Sequence, residues 1–246
     1  MPTAVKPTLA RARTPRVTPV PVPAPEAAGG RAYGGLAMEE RVAVRRARFI
    51  EAGTELFGTQ GFRGATVRSI CAAAGLTDRY FYESFATLEA LLAEVYRALT
   101  RGFAARLTAE SIRSEAWSGD AAAVERQTTA AYELWFDTVR EPRFARIVLV
   151  EVLGVNPDID ALYELSVREM AELTIAPLAA TQPALKLSRA RREMLGRALV
   201  GAGLQVAKMW MTGGYKLPRR DVVRTCVLVA TGTLAALRAE AADQER

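Results

Sequence analysis

From Glu39 onward, apolar residues recur at intervals of three and four, and the stretches between them are short and marked by Gly, Pro, Asn and Thr. That period is helical and few β-branched alternations interrupt it, so the chain is expected to be all-α, with about nine helices. The first helix is expected from about Glu39 to Gly58, where Phe49, Ile50, Gly53, Leu56 and Phe57 form one apolar stripe and Arg41, Arg45, Arg46 and Arg48 crowd the start. Those arginines oppose the helix dipole, a local cost that contact with phosphate would offset; a solvated basic face accounts for any one of them equally well. Thr66 is placed to cap a short helix ending at Ala74, with Val67, Ile70 and Cys71 facing inward and Gly75 terminating it. Thr77 is placed to cap the next short helix, with Asp78 in its first turn and Phe81 and Phe85, four apart, burying it. Thr87 opens a fourth helix carrying Leu88, Leu91, Leu92, Val95 and Leu99, and 110–118 reads as a loop. Later helices are expected at about 119–139, 142–154, 157–181, 187–212 and 219–240, punctuated by Pro142, Asn156-Pro157, Pro183 and Gly213-Gly214.

Two short helices joined by Ala74-Gly75-Leu76 are the arrangement a DNA-reading helix-turn-helix needs, because one helix braces on the backbone while the other enters the major groove. Helix, glycine, helix also describes ordinary hairpins, so spacing alone does not decide. Residues 1–37 differ in kind. They hold seven of the twelve prolines and two Gly-Gly pairs, a composition that cannot bury enough surface to order itself, and are expected to be a flexible arm. Either the arm is inert, with translation starting at Met38, or Arg11, Arg13 and Arg16 touch DNA.

Half of the 246 residues are hydrophobic, enough for a substantial core. The net charge of +6 is concentrated in the arm, which carries +4 and leaves the rest near +2; charge therefore permits a nucleic-acid partner without requiring one. Cys71 and Cys226 sit far apart in apolar helical patterns and offer no disulfide framework. The longest uncharged runs, Thr225 to Leu237 and Leu173 to Leu185, are thirteen residues each, short of a membrane span, and prolines break up any signal-like segment, so a soluble cytoplasmic protein is expected. Histidine is absent altogether, which removes the commonest metal ligand and general base. With no nucleophile motif, phosphate loop or ligand cluster, neither an enzyme nor a metal or cofactor protein is expected.

The wider segment Phe49-Ile50-Glu51-Ala52-Gly53-Thr54-Glu55-Leu56-Phe57, then Gly61-Phe62, Thr66-Val67, Ile70, Ala74-Gly75-Leu76-Thr77, Phe81-Tyr82, Phe85 and Leu88-Glu89-Ala90-Leu91-Leu92, closely resembles the N-terminal domain of the TetR family of transcriptional regulators. The resemblance covers about 50 residues. It implies a three-helix DNA-binding domain at 38–86, a helical bundle for ligand binding and dimerisation at 87–246, and a repressor released from a palindromic operator by a small molecule. Thr66, Thr77 and Tyr82 match positions that anchor to phosphate, while Arg68, Asp78, Arg79 and Tyr80 match groove readers and Arg46 adds a basic contact; Tyr80 and Tyr82 also suit simple packing. Leu88 stands where the family commonly has a phosphate-binding lysine, and Arg79-Tyr80-Phe81 replaces smaller residues, so no operator preference carries over.

The last two helices are apolar beyond the needs of one face. Leu195, Leu199, Val206 and Trp210 line one and Val223, Val227, Leu234 and Leu237 the other, a pattern that suits a four-helix homodimer contact or an internal hairpin. Between the two regions Trp117, Tyr132, Trp135, Phe136, Phe144, Tyr163 and Met170 are candidates to line an effector pocket. The alternative is a helical-bundle enzyme or small-molecule-binding protein without specific DNA binding.

Overall fold

The computed structural model describes residues 38–113, 120–181, 185 and 187–244. These form nine α-helices and no strand: α1 Met38–Thr59, α2 Val67–Ala74, α3 Asp78–Ser84, α4 Leu88–Arg113, α5 Ala121–Val139, α6 Pro142–Arg146, α7 Pro157–Thr181, α8 Arg189–Thr212 and α9 Arg219–Gln244. The arm at 1–37 lies outside the described residues.

Local chemistry sets most helix starts. Thr66 and Ser69 form a reciprocal capping box at α2, and Asp120, Glu141 and Ser188 each accept a backbone N–H at the starts of α5, α6 and α8. Gly75 closes α2 in the left-handed region at φ 64°, where a side chain would be strained, and Leu76 N–H returns to the Cys71 carbonyl. Thr77 occupies the cap position of α3, yet its hydroxyl makes no capping hydrogen bond, contrary to the expectation from sequence.

One core runs from α1 to α9. Phe49, Phe57, Phe81, Leu91, Leu92, Phe136 and Ile147 are fully buried in it, and Phe49 meets Phe81 and Phe85 edge-on at centroid distances of 5.4 and 6.3 Å. A smaller cluster joins Val124, Ile175, Leu199 and Leu234. The helix-turn-helix is thus packed onto the first turns of α4 instead of standing apart.

Two further expectations need correction. Helix α4 extends to Arg113, so 110–113 is helix and not loop; no Gly or Pro intervenes to stop it. The single helix expected at 142–154 is instead the short α6 followed by a π-helical turn, Ile147–Glu151. A π turn brings residues five apart onto one side, and Arg146 and Glu151, five apart, pair at 2.8 Å.

Candidate nucleic-acid interface and ligand cavity

The exposed rim of α2 and α3 carries the side chains expected to meet DNA. Thr66, Arg68, Thr77, Asp78, Arg79 and Tyr82 are all exposed, and the Arg79 side chain retains 84% of its accessible surface. Tyr82 is 62% exposed although its ring rests edge-on against buried Phe81 at 5.4 Å. Together they present a phenol and a guanidinium to solvent from one helix.

The remaining two residues behave differently. Arg46 donates to the Ser84 carbonyl at 2.8 Å, pairs with Glu94 at 3.0 Å and lies 4.4 Å over the Phe85 ring, so its guanidinium is engaged in holding α1 to α3 and α4. It is a brace within the fold, a role its place in a basic run did not disclose. Tyr80 is half-buried, with the Arg45 guanidinium 4.5 Å above its ring. Glu83, not singled out in the sequence, accepts from Arg79 Nε at 3.0 Å and faces Arg45 at 3.9 Å. Its spacing of four from Arg79 was the available signal.

Electrostatics reinforce this geometry. Burial alone would raise the Glu94 carboxyl, but hydrogen bonds from Arg97 and Arg46 outweigh it and hold Glu94 below its ordinary range. Burial, with a hydrogen bond to Asp78, pushes the Cys71 thiol up to about 11, so it stays protonated and inert beneath α3.

Behind the helix-turn-helix, α6 and its π turn touch α1 closely. Gly58 faces Arg143 so tightly that an added Cβ would lie 2.4 Å from the Arg143 Cβ. Arg143 donates to Glu55 at 2.6 Å, Arg146 to the Thr59 carbonyl at 2.6 Å, and Glu151 accepts the Phe62 N–H at 2.7 Å. These partners are separated by more than eighty residues, so no local pattern could have revealed them.

The opposite side of the same segment faces a cavity of about 170 Å³ bounded by α4, α5, α7, α8 and α9. Of the residues expected there, Tyr132, Trp135, Phe144 and Met170 line it. Phe136 does not: it is fully buried against Trp210, at a centroid distance of 5.7 Å. Tyr163 packs instead against Tyr96 at 6.4 Å, and Trp117 lies outside the described residues. Val148 and Gln127, which the aromatic bias of the sequence reading overlooked, also line the wall.

Residues 49–95, from the middle of α1 to the first turns of α4, match the family of bacterial regulatory proteins called tetR. The helix-turn-helix is a TetR-family domain. No curated protein matches the chain. Among solved structures, a transcriptional regulator of Pseudomonas aeruginosa superimposes with a TM-score of 0.66 at 22% identity, covering 83% of this chain and 95% of that one. The fatty acid degradation regulator FadR of Bacillus halodurans gives 0.64 at 16% identity, covering 76% and 95%. FadR of Bacillus subtilis, solved in complex with stearoyl-CoA, gives 0.63 at 13% identity, covering 75% and 97%. The fold beyond the matched domain is therefore that of these regulators, and the domain at 49–95 implies DNA-binding transcription regulation.

Proposed function

We propose that the protein is a sequence-specific repressor that binds a palindromic operator as a homodimer and is released when a small molecule enters the cavity. The observation that carries this reading is the rim of α2 and α3. Arg79 and Tyr82 project into solvent from the helix that a helix-turn-helix inserts in the major groove, and Thr77 keeps a hydroxyl uncommitted to its own helix cap. On this reading Thr66, Thr77 and Tyr82 hold phosphates, Arg68 and Arg79 read base edges, and Asp78 and Tyr80 shape the approach.

The homodimer is supported by an apolar surface on the last two helices. Helix α9 is long and apolar enough, by length and composition, to cross a membrane, yet only a third of its apolar window is buried. Leu228 is 70% exposed there, with Val229 beside it and Met194 and Met209 exposed on α8. A second copy packed on this face would bury it and set two α3 helices apart by about one DNA turn, roughly 34 Å. That reading also accounts for α9 without a membrane and fits a cytoplasmic protein.

The cavity supports an effector with a large apolar part, as stearoyl-CoA has in the Bacillus subtilis relative. Phe144 and Val148 meet the cavity while Arg143, Arg146 and Glu151, on the same segment, grip α1 and the turn after it. A ligand that displaces the wall thereby favours a different seating of the reading helices and lowers DNA affinity by linkage.

Selection of bound duplexes from a random library tests the reading. Enrichment of a two-fold symmetric site is expected. Retention of random duplexes without enrichment, with affinity following salt alone, would overturn it.

A further inference from the structure

Among the described residues, the cavity wall has no lysine or arginine, and the chain has no histidine; its one carboxylate is Glu110. Five of the hydrogen-bond donors on the wall are committed to backbone carbonyls. Thr100, Ser111 and Thr174 donate to carbonyls of their own helices, those of Tyr96 at 3.0 Å, Leu107 at 3.1 Å and Met170 at 2.9 Å. Tyr132 donates to the Leu199 carbonyl at 3.4 Å and Trp135 Nε1 to the Gly203 carbonyl at 3.2 Å, both across to α8. Burial raises the Tyr132 phenol pKa, so this hydroxyl stays neutral. Gln127, Thr128 and the hydrogen-bonded pair Tyr96 and Ser166 add neutral polarity. An anionic head brought here would give up water and meet no cationic side chain among the described residues, an uncompensated burial of charge.

The shape narrows the class further. Lining residues on α4 run from Tyr96 to Ser111, about 22 Å at 1.5 Å per residue. A lining that extends so far along one helix is elongated, and suits a methylene chain laid along α4 better than a compact cage-like ring system.

We propose that the cavity takes an uncharged, chain-like apolar ligand bearing at most one hydrogen-bonding head, and excludes the corresponding carboxylate. The proposal rests on reading the cavity as an effector site, and deepens it.

Calorimetric titration of the full chain at pH 8 with decan-1-ol, decanoate and adamantan-1-ol tests it. Decan-1-ol is expected to bind at least tenfold more tightly than either of the others, and Ala131→Trp, which fills the cavity from α5, is expected to abolish that binding. Val200→Trp, filling it from α8, serves if the first variant does not fold. Decanoate binding as tightly as decan-1-ol, and lost in the same variants, would overturn the charge selection while leaving the effector site standing. Equal binding of adamantan-1-ol would overturn the chain-like shape. Binding of none of the three would remove the effector-site reading, and the inference with it.

Discussion

Arg146 donates from Nη1 to the carbonyl oxygen of Thr59 at 2.6 Å, which ties the last residue of α1 to the segment that walls the cavity. Its Nε pairs with Glu151 at 2.8 Å, and Glu151 in turn accepts from the Phe62 N–H, so the residues flanking the turn after α1 are held by one pair of side chains. Glu151 is the more buried partner, with 13% of its side-chain surface exposed against 39% for Arg146. Removing the carboxylate leaves the Phe62 N–H without its acceptor and the Arg146 guanidinium with the Thr59 carbonyl as its remaining one.

Glu151→Ala is therefore expected to destabilise the fold by about 1–3 kcal/mol, the cost of an unsatisfied donor. It is also expected to weaken the effect of a cavity ligand on DNA affinity more than it weakens DNA affinity itself. Urea denaturation gives the first quantity and anisotropy titrations with and without ligand give the second. An unchanged ligand response would show that coupling runs through other contacts.

Arg79 and Glu83 separate specificity from affinity. Arg79→Ala is expected to cost about 1–3 kcal/mol on the selected site and to relax discrimination at one base pair. Glu83→Gln removes a negative charge from the helix proposed to face DNA and frees Arg79 from its ion pair, so binding to random duplex is expected to tighten while discrimination falls. Competition between selected and random duplexes measures both. A Glu83→Gln protein with undiminished discrimination would mean that the ion pair does not orient Arg79.

Stability should respond to acid and be nearly flat near neutrality. Glu94 and Glu141 are both held below the ordinary 4.5: burial works against this, and hydrogen bonds from Arg97 and Arg46, and from Arg143 and the Phe144 N–H, outweigh it. A carboxyl whose pKa is depressed on folding contributes stability above its unfolded value and loses it as pH falls through the folded one. Thermal midpoints are thus expected to be level from about pH 5.5 to 8, where the chain has no histidine to titrate, and to drop from about pH 4.5 downward. Glu94→Gln is expected to make that drop shallower. A midpoint that shifts strongly between pH 6 and 7 would point to a group outside this account.

Leu228, 70% exposed on α9, should report assembly. Leu228→Glu on both protomers would bury two like charges in the proposed contact and is expected to yield monomers by light scattering, with DNA affinity falling at least tenfold. A variant that remains dimeric would move the contact away from this face.

The parts that were legible in the sequence are those written in local patterns. Helix positions followed from apolar period and from Thr66, Gly75 and Pro142, and the tetR-like domain was recognisable because its packing residues, Phe49 through Leu92, lie close together in the chain. What escaped depended on distant partners. Arg46 read as a basic contact because nothing nearby in sequence reveals that Ser84 and Glu94 meet it. Where the expected 142–154 helix breaks into α6 and a π turn, Glu151 meets Arg146 and the distant Phe62 N–H, contacts that a periodicity sees only as continuing helix. In the cavity, aromatic residues suggested the wall, yet Phe136 turned to Trp210 because a residue's face on α5 is set by how α8 and α9 pack on it.

The most direct test of the link between cavity and reading helices is its reciprocity, measured on the selected duplex with decan-1-ol as the cavity ligand. The dissociation constant for DNA with and without ligand, and that for ligand with and without DNA, are predicted to change by the same factor, at least fivefold, each partner weakening the other. A ligand that occupies the cavity and leaves DNA affinity unchanged would contradict the account.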